Sequence, residues 1–202
     1  NIAGIYRAQG DYATALDYLK KSIAITNEIG DKAGKGTTFN NIAGIYRAQG
    51  DYATALDYLK KSLAIMQEIG DKAGEGTTLN NISQIYDAQG DYATALNYLK
   101  KSLALAEEIG DKAGEGTTFN NISQVYNAQG DYATALDYLK KSLAIMQEIG
   151  DKAGEGTTFN NISQIFKAQG DYATTLDYLK KSLALMQEIG DKAGEGTTLN
   201  NI

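Results

Sequence analysis

Gly50-Asp51-Tyr52-Ala53-Thr54-Ala55-Leu56-Asp57-Tyr58-Leu59-Lys60-Lys61-Ser62-Leu63-Ala64-Ile65-Met66-Gln67-Glu68-Ile69-Gly70-Asp71 opens and closes on the same dipeptide. Glycine tolerates the left-handed conformation that ends a helix, and aspartate accepts hydrogen bonds from the free amides that begin one. Each Gly-Asp therefore reads as stop and start with almost no loop between. Tyr52, Ala55, Leu56, Leu59, Leu63, Met66 and Ile69 recur at three- and four-residue spacing and make one apolar stripe. Asp57 and Lys61 on the other face form an i,i+4 pair in the favourable order, worth a few tenths of a kcal/mol. The spacing predicts a helix over 52–69.

Outward from this stretch the punctuation continues, through Gly90-Asp91 and Gly110-Asp111 and onward. The sequence restarts at Asn1, Asn41, Asn81, Asn121 and Asn161, and residues 201–202 begin a sixth copy. The expected organisation is one array of five units, 1–40, 41–80, 81–120, 121–160 and 161–200, with the helix at each end cut short. Each unit holds two helices of about 17 residues, roughly 25 Å long at 1.5 Å per residue. Helix A of the third unit falls at 72–89 and carries Leu79, Ile82, Ile85 and Tyr86 inward. Gly74 and Gly76 each weaken its first turns by up to ~1 kcal/mol relative to alanine. Close approach of a neighbouring helix would compensate; a looser first turn is the alternative.

One helix pair cannot bury both faces, so stability must come from stacking units on their neighbours. The fold class expected is all-α. Polar caps, expected at the ends of such arrays, do not stand in the sequence, which points either to an excerpt of a longer array or to ends completed by something else. The chain has no His, Cys, Trp or Pro and a net charge of −6. No disulfide can form, and the usual zinc ligands and nucleophile–base pairings are missing, so neither cofactor nor enzymatic activity is expected. The acidic balance opposes nucleic acid. No apolar run approaches the roughly 20 residues that span a bilayer, so no membrane partner is expected and a cytoplasmic location is.

In order, Phe39, Ile42, Ala43, Tyr46, Gly50, Tyr52, Ala55 and Leu59 fall on the large-small-large pattern of the tetratricopeptide repeat, and every copy repeats it. The chain resembles that family over its whole length. Gln67 stands where the family usually has proline, and the unit has 40 residues rather than the common 34. Both departures resemble the long-unit branch of kinesin light chains, Leu-Gly-Asn-type adaptors and bacterial signalling proteins. The resemblance implies a right-handed α-α superhelix of antiparallel helix pairs, with the A helices lining a concave groove for an extended peptide or a partner helix. Thr175, where other copies have alanine, implies looser packing in the fifth unit.

Differences among the copies gather on one stripe of helix A. One position reads Arg7, Arg47, Asp87, Asn127, Lys167, and three residues earlier stand Gly4, Gly44, Gln84, Gln124, Gln164. Constant on the same face are Asn41, Asn81, Asn121 and Asn161, preceded by Asn40, Asn80, Asn120 and Asn160. In the family this stripe faces the groove. An Asn amide both donates and accepts, so it can pair with a peptide backbone whatever the side chains. The Asn ladder would supply grip and the variable series selectivity. The competing reading has the asparagines satisfying the backbone or each other between stacked helices, and the variable series drifting on a solvated face. Counting Lys and Arg against Asp and Glu in each unit gives +1, −1, −3, −2 and −1, which orients the acidic end of a ligand toward Arg7 and Arg47.

Three weaker signals are set aside. Gly34-Lys35-Gly36-Thr37 lacks the full phosphate-loop spacing and a preceding strand. Asn81-Ile82-Ser83 fits a glycosylation sequon but falls within a helix. The 14 tyrosines keep helical spacing, which fits packing better than base stacking. The function expected is a protein-interaction scaffold binding a peptide or helix in the groove. The alternative is a self-associating array, natural or engineered, stacked head to tail.

Overall fold

The computed structural model describes residues 2–202, so Asn1, where the first copy begins, lies outside the described residues. Among them the secondary structure is wholly helical: α1 (Ile2–Ala8), α2 (Tyr12–Ile29), α3 (Lys32–Ala48), α4 (Tyr52–Ile69), α5 (Lys72–Ala88), α6 (Tyr92–Ile109), α7 (Lys112–Ala128), α8 (Tyr132–Glu148), α9 (Lys152–Ala168), α10 (Tyr172–Ile189) and α11 (Lys192–Asn201). Odd-numbered helices are A helices and even-numbered ones B helices. The predicted helix over 52–69 is α4, and the one over 72–89 is α5, one residue shorter.

The Gly-Asp junctions work as their chemistry requires. Gly50 and Gly70 have φ of +77° and +70°, a conformation that costs a residue with a Cβ about 1–2 kcal/mol. The Asp51 amide donates back to the Tyr46 carbonyl at 2.9 Å, closing the end of α3. Its carboxylate Oδ1 accepts from the Thr54 amide at 3.0 Å, opening α4. The same two bonds recur at Asp71, to the Met66 carbonyl at 2.9 Å and from the Gly74 amide at 2.9 Å.

The helices gather into two compact units, residues 2–105 and 106–202. In the first, α3 packs on α4, α4 on α5, and α5 also touches α3. Ala43, Ala55, Leu59, Ile82 and Ile85 form one core cluster there, and Ala3, Ala15, Leu19, Ile42 and Ile45 another. In the second, α7, α8, α9, α10 and α11 follow the same order of packing, around Ala135, Leu139, Phe159, Ile162 and Ile165. Each cluster joins an A–B pair to the next A helix. Full burial of one Leu or Ile is worth about 1.5–3 kcal/mol, so these joints carry most of the stability.

Aromatic rings tie A to B within a pair. Tyr46 stacks on Tyr58 with centroids 5.8 Å apart, and Tyr126 on Tyr138 at 5.7 Å. The lysine after each second ring lies over it, Lys61 Nζ at 4.8 Å from the Tyr58 centroid and Lys141 Nζ at 4.9 Å from that of Tyr138. Lys21 and Lys181 lie over Tyr18 and Tyr178 in the same way and also make the expected i,i+4 carboxylate pairing, with Asp17 and Asp177, both at 2.7 Å.

Some glycines of the A helices are close-approach sites. A Cβ on Gly36 would stand 2.6 Å from Met66 Cε, and one on Gly116 2.5 Å from Met146 Cε. Both positions are helical, so the weak turns are compensated by packing and not by fraying. Gly76 differs, because its nearest such neighbour is Ser102 Oγ at 3.5 Å. Thr175 is buried and its hydroxyl donates to the Asp171 carbonyl at 2.7 Å, while Tyr172 and Leu176 on the same helix are exposed.

Candidate functional site

A cleft of about 320 Å³ opens in the first unit. The 40-residue period brings equivalent residues of successive A helices to it: Arg7 from α1, Asn41 and Arg47 from α3, Asn81 from α5. Asn40 borders the same cleft. A smaller cleft of about 90 Å³ is lined by Gly4, Arg7 and Asn41 among others. The sequence reading missed Thr37, Thr77 and Asp71, which also line the larger cleft. Their signal was present, since they precede the Asn pair on the same helices or cap them, but they are constant in every copy and suggested only helix starts.

The two variable positions are coupled across neighbouring helices. Arg47 Nη1 donates to Gln84 Oε1, so the residue that varies on α3 is held by the one that varies on α5. Where the equivalent place is Gly44, a Cβ would lie 3.1 Å from Arg7 Nη1. The missing side chain gives the Arg7 guanidinium its room.

The two Asn series, which the sequence put on one stripe, part company. Asn40 Nδ2 donates to Ser62 Oγ and to Thr78 Oγ1, both at 2.9 Å. Asn120 Nδ2 does the same to Ser142 at 2.8 Å and Thr158 at 3.0 Å, and Asn160 Nδ2 to Ser182 at 2.7 Å and Thr198 at 2.9 Å. Asn80 Nδ2 donates to Ser102 at 2.8 Å. Asn80, Asn120 and Asn160 are buried. These amides bridge a B helix to the A helices on either side, and gripping a peptide would break that bridge. The Asn40, Asn80, Asn120 and Asn160 amides thus have an interhelix role, and Asn40 also lines the cleft. Asn41, Asn81, Asn121 and Asn161 are half-buried and form the outer layer. Asn81 Nδ2 donates to Asn40 Oδ1 at 3.3 Å and Asn161 Nδ2 to Asn120 Oδ1 at 3.1 Å.

The rest of the variable stripe is uneven. Gln124, Gln164 and Lys167 are exposed and Asn127 half-buried in the second unit. Asp87 is half-buried, its Oδ1 meets no hydrogen-bond donor, and burial raises its carboxyl above the usual range. No three His, Cys, Asp or Glu side chains come together to hold a metal ion among the described residues. No described helix is long and apolar enough to cross a membrane.

Antiparallel helix pairs joined by small-residue contacts, with a polar cleft along their A helices, define a helical-repeat protein built for contact with other chains. The chain belongs to the tetratricopeptide repeat family, whose model matches residues 1–68, 35–108, 74–148 and 114–188. No curated protein matches the chain. Among solved structures it is similar to aspartyl phosphate phosphatase F from Bacillus subtilis, with 20 % identity and a TM-score of 0.81 over 97 % of this chain and 51 % of that one. It is similar to the Rap conjugation gene regulator of plasmid pLS20, solved in complex with a peptide, at 12 % identity and a TM-score of 0.82 over 97 % and 54 %. A putative kinesin light chain of Podosopora anserina with nearly identical repeats aligns over 94 % and 93 % at 16 % identity and a TM-score of 0.65. The chain thus spans about half the length of the first two, and at these identities the likeness concerns the fold.

Proposed function

We propose that this chain is a protein-interaction scaffold that holds an extended peptide in the A-helix cleft of its first unit. The observation that carries the reading is the convergence of Arg7, Arg47, Asn41 and Asn81 on one cleft of about 320 Å³. The Asn amides grip backbone, and each such bond nets about 0.5–1.5 kcal/mol, so several must act together. The two guanidiniums select an acidic side chain. The peptide-bound Rap regulator of the same fold supports a peptide as the class of ligand.

The test is selection of short peptides from a displayed random library, followed by affinity measurement on variants. Acidic residues should be enriched, and Arg7→Ala with Arg47→Ala should weaken the selected peptides about tenfold, equivalent to about 1.4 kcal/mol. Asn41→Ala with Asn81→Ala should weaken acidic and neutral peptides alike. Affinities unchanged in both double variants refute the cleft as the binding site.

A second reading, stacking of one copy on another, draws on apolar side chains that repeat equivalents keep buried. Ile2 and Ile5 are 55 % and 59 % exposed, whereas Ile42, Ile45, Ile82 and Ile85 are at most 2 %. A further repeat of a longer chain would cover the same face equally well. Light scattering across a concentration series decides: a mass that stays at one copy removes self-association.

A further inference from the structure

Behind the cleft, the hydrogen bonds run in one direction, and the direction reaches the ligand side. Each serine or threonine hydroxyl has a single proton. Ser62 Oγ gives its proton to the Gly36 carbonyl at 2.8 Å, and Thr78 Oγ1 to the Gly74 carbonyl at 2.8 Å. Both oxygens then face Asn40 as acceptors and take the NH₂ end of its amide. With that end turned inward, Asn40 Oδ1 points the other way and accepts from Asn81 Nδ2. One N–H of Asn81 is thereby claimed, and its own carbonyl oxygen is turned away from Asn40.

The second unit repeats the chain of bonds. Ser142 donates to the Gly116 carbonyl at 2.8 Å and Thr158 to that of Gly154 at 2.9 Å. Asn120 donates to both hydroxyls, and Asn161 donates to Asn120. Ser182, Thr198, Asn160 and Asn201 do so once more.

We propose that Ser62, Thr78 and Asn40, with their counterparts Ser142, Thr158 and Asn120, are positioning residues that lock the amides of Asn81 and Asn161 with the carbonyl oxygen outward. This rests on the cleft reading above and sharpens its ligand. An outward acceptor of this kind selects an N–H donor, so in the first-unit cleft Asn81 takes a peptide backbone with its amides free and rejects one whose amides are blocked by proline or N-methylation. The buried hydroxyls never touch the ligand, yet they decide which end of each outer amide it meets.

The experiment uses the whole chain, labelled with ¹³C and ¹⁵N in asparagine only, and no ligand. Through-hydrogen-bond coupling should be observed between Asn161 Nδ2 and Asn120 Cγ. Ser142→Ala with Thr158→Val removes the inward acceptors, and the coupling at Asn161 should vanish while the Asn81–Asn40 coupling in the first unit persists. Thr158→Ser, which keeps the acceptor, should retain both. If the double variant does not fold, Thr158→Val alone is read by the same coupling, which should weaken. Absence of the coupling in the unaltered chain, or its survival at full strength in the valine variants, overturns the lock. Because no peptide is present, such a failure is distinct from loss of peptide selection, which would strike the cleft reading itself.

Discussion

Gly76 and Gly116 occupy the same place in the repeat, and alanine should have different effects on them. Both lie inside helices, where Gly→Ala gains up to about 1 kcal/mol through backbone entropy and solvation. At Gly76 the new methyl would meet Ser102 Oγ at 3.5 Å and the Ser102 carbonyl at 3.8 Å, ordinary van der Waals contact. Nothing offsets the gain, so Gly76→Ala should stabilise by about 0.5–1 kcal/mol. At Gly116 the methyl would stand 2.5 Å from Met146 Cε and 3.4 Å from Ile145 Cγ2. Met146 is only 2 % exposed, so its terminal methyl must move into packed neighbours. Overpacking of this kind costs about 1–3 kcal/mol, which cancels or exceeds the helix gain. The two variants should therefore differ by about 1–3 kcal/mol. At about 2–4 °C of melting temperature per kcal/mol for a chain of this size, thermal unfolding followed by circular dichroism separates them readily. Gly36→Ala, facing Met66 Cε at 2.6 Å, should side with Gly116. A Gly116→Ala chain melting at or above Gly76→Ala would refute the argument that the methionines set the spacing of these helices.

Two further outcomes follow from the caps and the stripe. Asp151→Ala removes the acceptor held by the Gly154 amide at 2.9 Å and should cost about 1 kcal/mol, seen as a melting point lower by about 2–4 °C. Asp87 has a carboxyl raised by burial, so the native state disfavours its charged form; that cost is present at neutral pH and is relieved as pH falls through the raised value. Asp87→Asn should accordingly raise the melting temperature at pH 7 and flatten its rise toward acid, and an unchanged profile would show that Oδ1 is adequately solvated.

The architecture was largely legible in the sequence because its decisive signals are local. A helix that ends at Gly70 and restarts at Lys72 needs only a residue free to take positive φ and a short acceptor after it, and Gly70-Asp71 names both. The site was legible in part. Arg7, Arg47, Asn41 and Asn81 do meet, since a fixed period forces equivalent residues onto one face. What periodicity could not resolve is which of two adjacent asparagines turns inward. Asn40 and Asn41 are neighbours in sequence, and their fates part because Ser62 and Thr78, 22 and 38 residues away, offer acceptors to only one of them. The paths of Arg7 over Gly44 and of Lys61 over Tyr58 were equally hidden, since each depends on space left by a residue on another turn or helix.

The asparagine bridge also bears on how the chain finds its own partners. Asn40 meets Ser62, Asn80 meets Ser102, Asn120 meets Ser142 and Asn160 meets Ser182, always 22 residues apart and with nearly the same surroundings. These bonds give no joint an address of its own. A B helix offered the wrong A helix, one unit too far along or from another molecule, would find the same hydroxyls, glycines and isoleucines waiting. The two pairings differ chiefly in the length of chain that must be closed, and doubling a loop costs only about 0.6 kcal/mol. Near-identical repeats thus exchange easily during folding, and slipped or swapped pairings are the expected errors at high concentration. The few side chains that differ between copies, Thr26 and Ala106 in place of methionine among them, are the marks by which one joint can be told from the next.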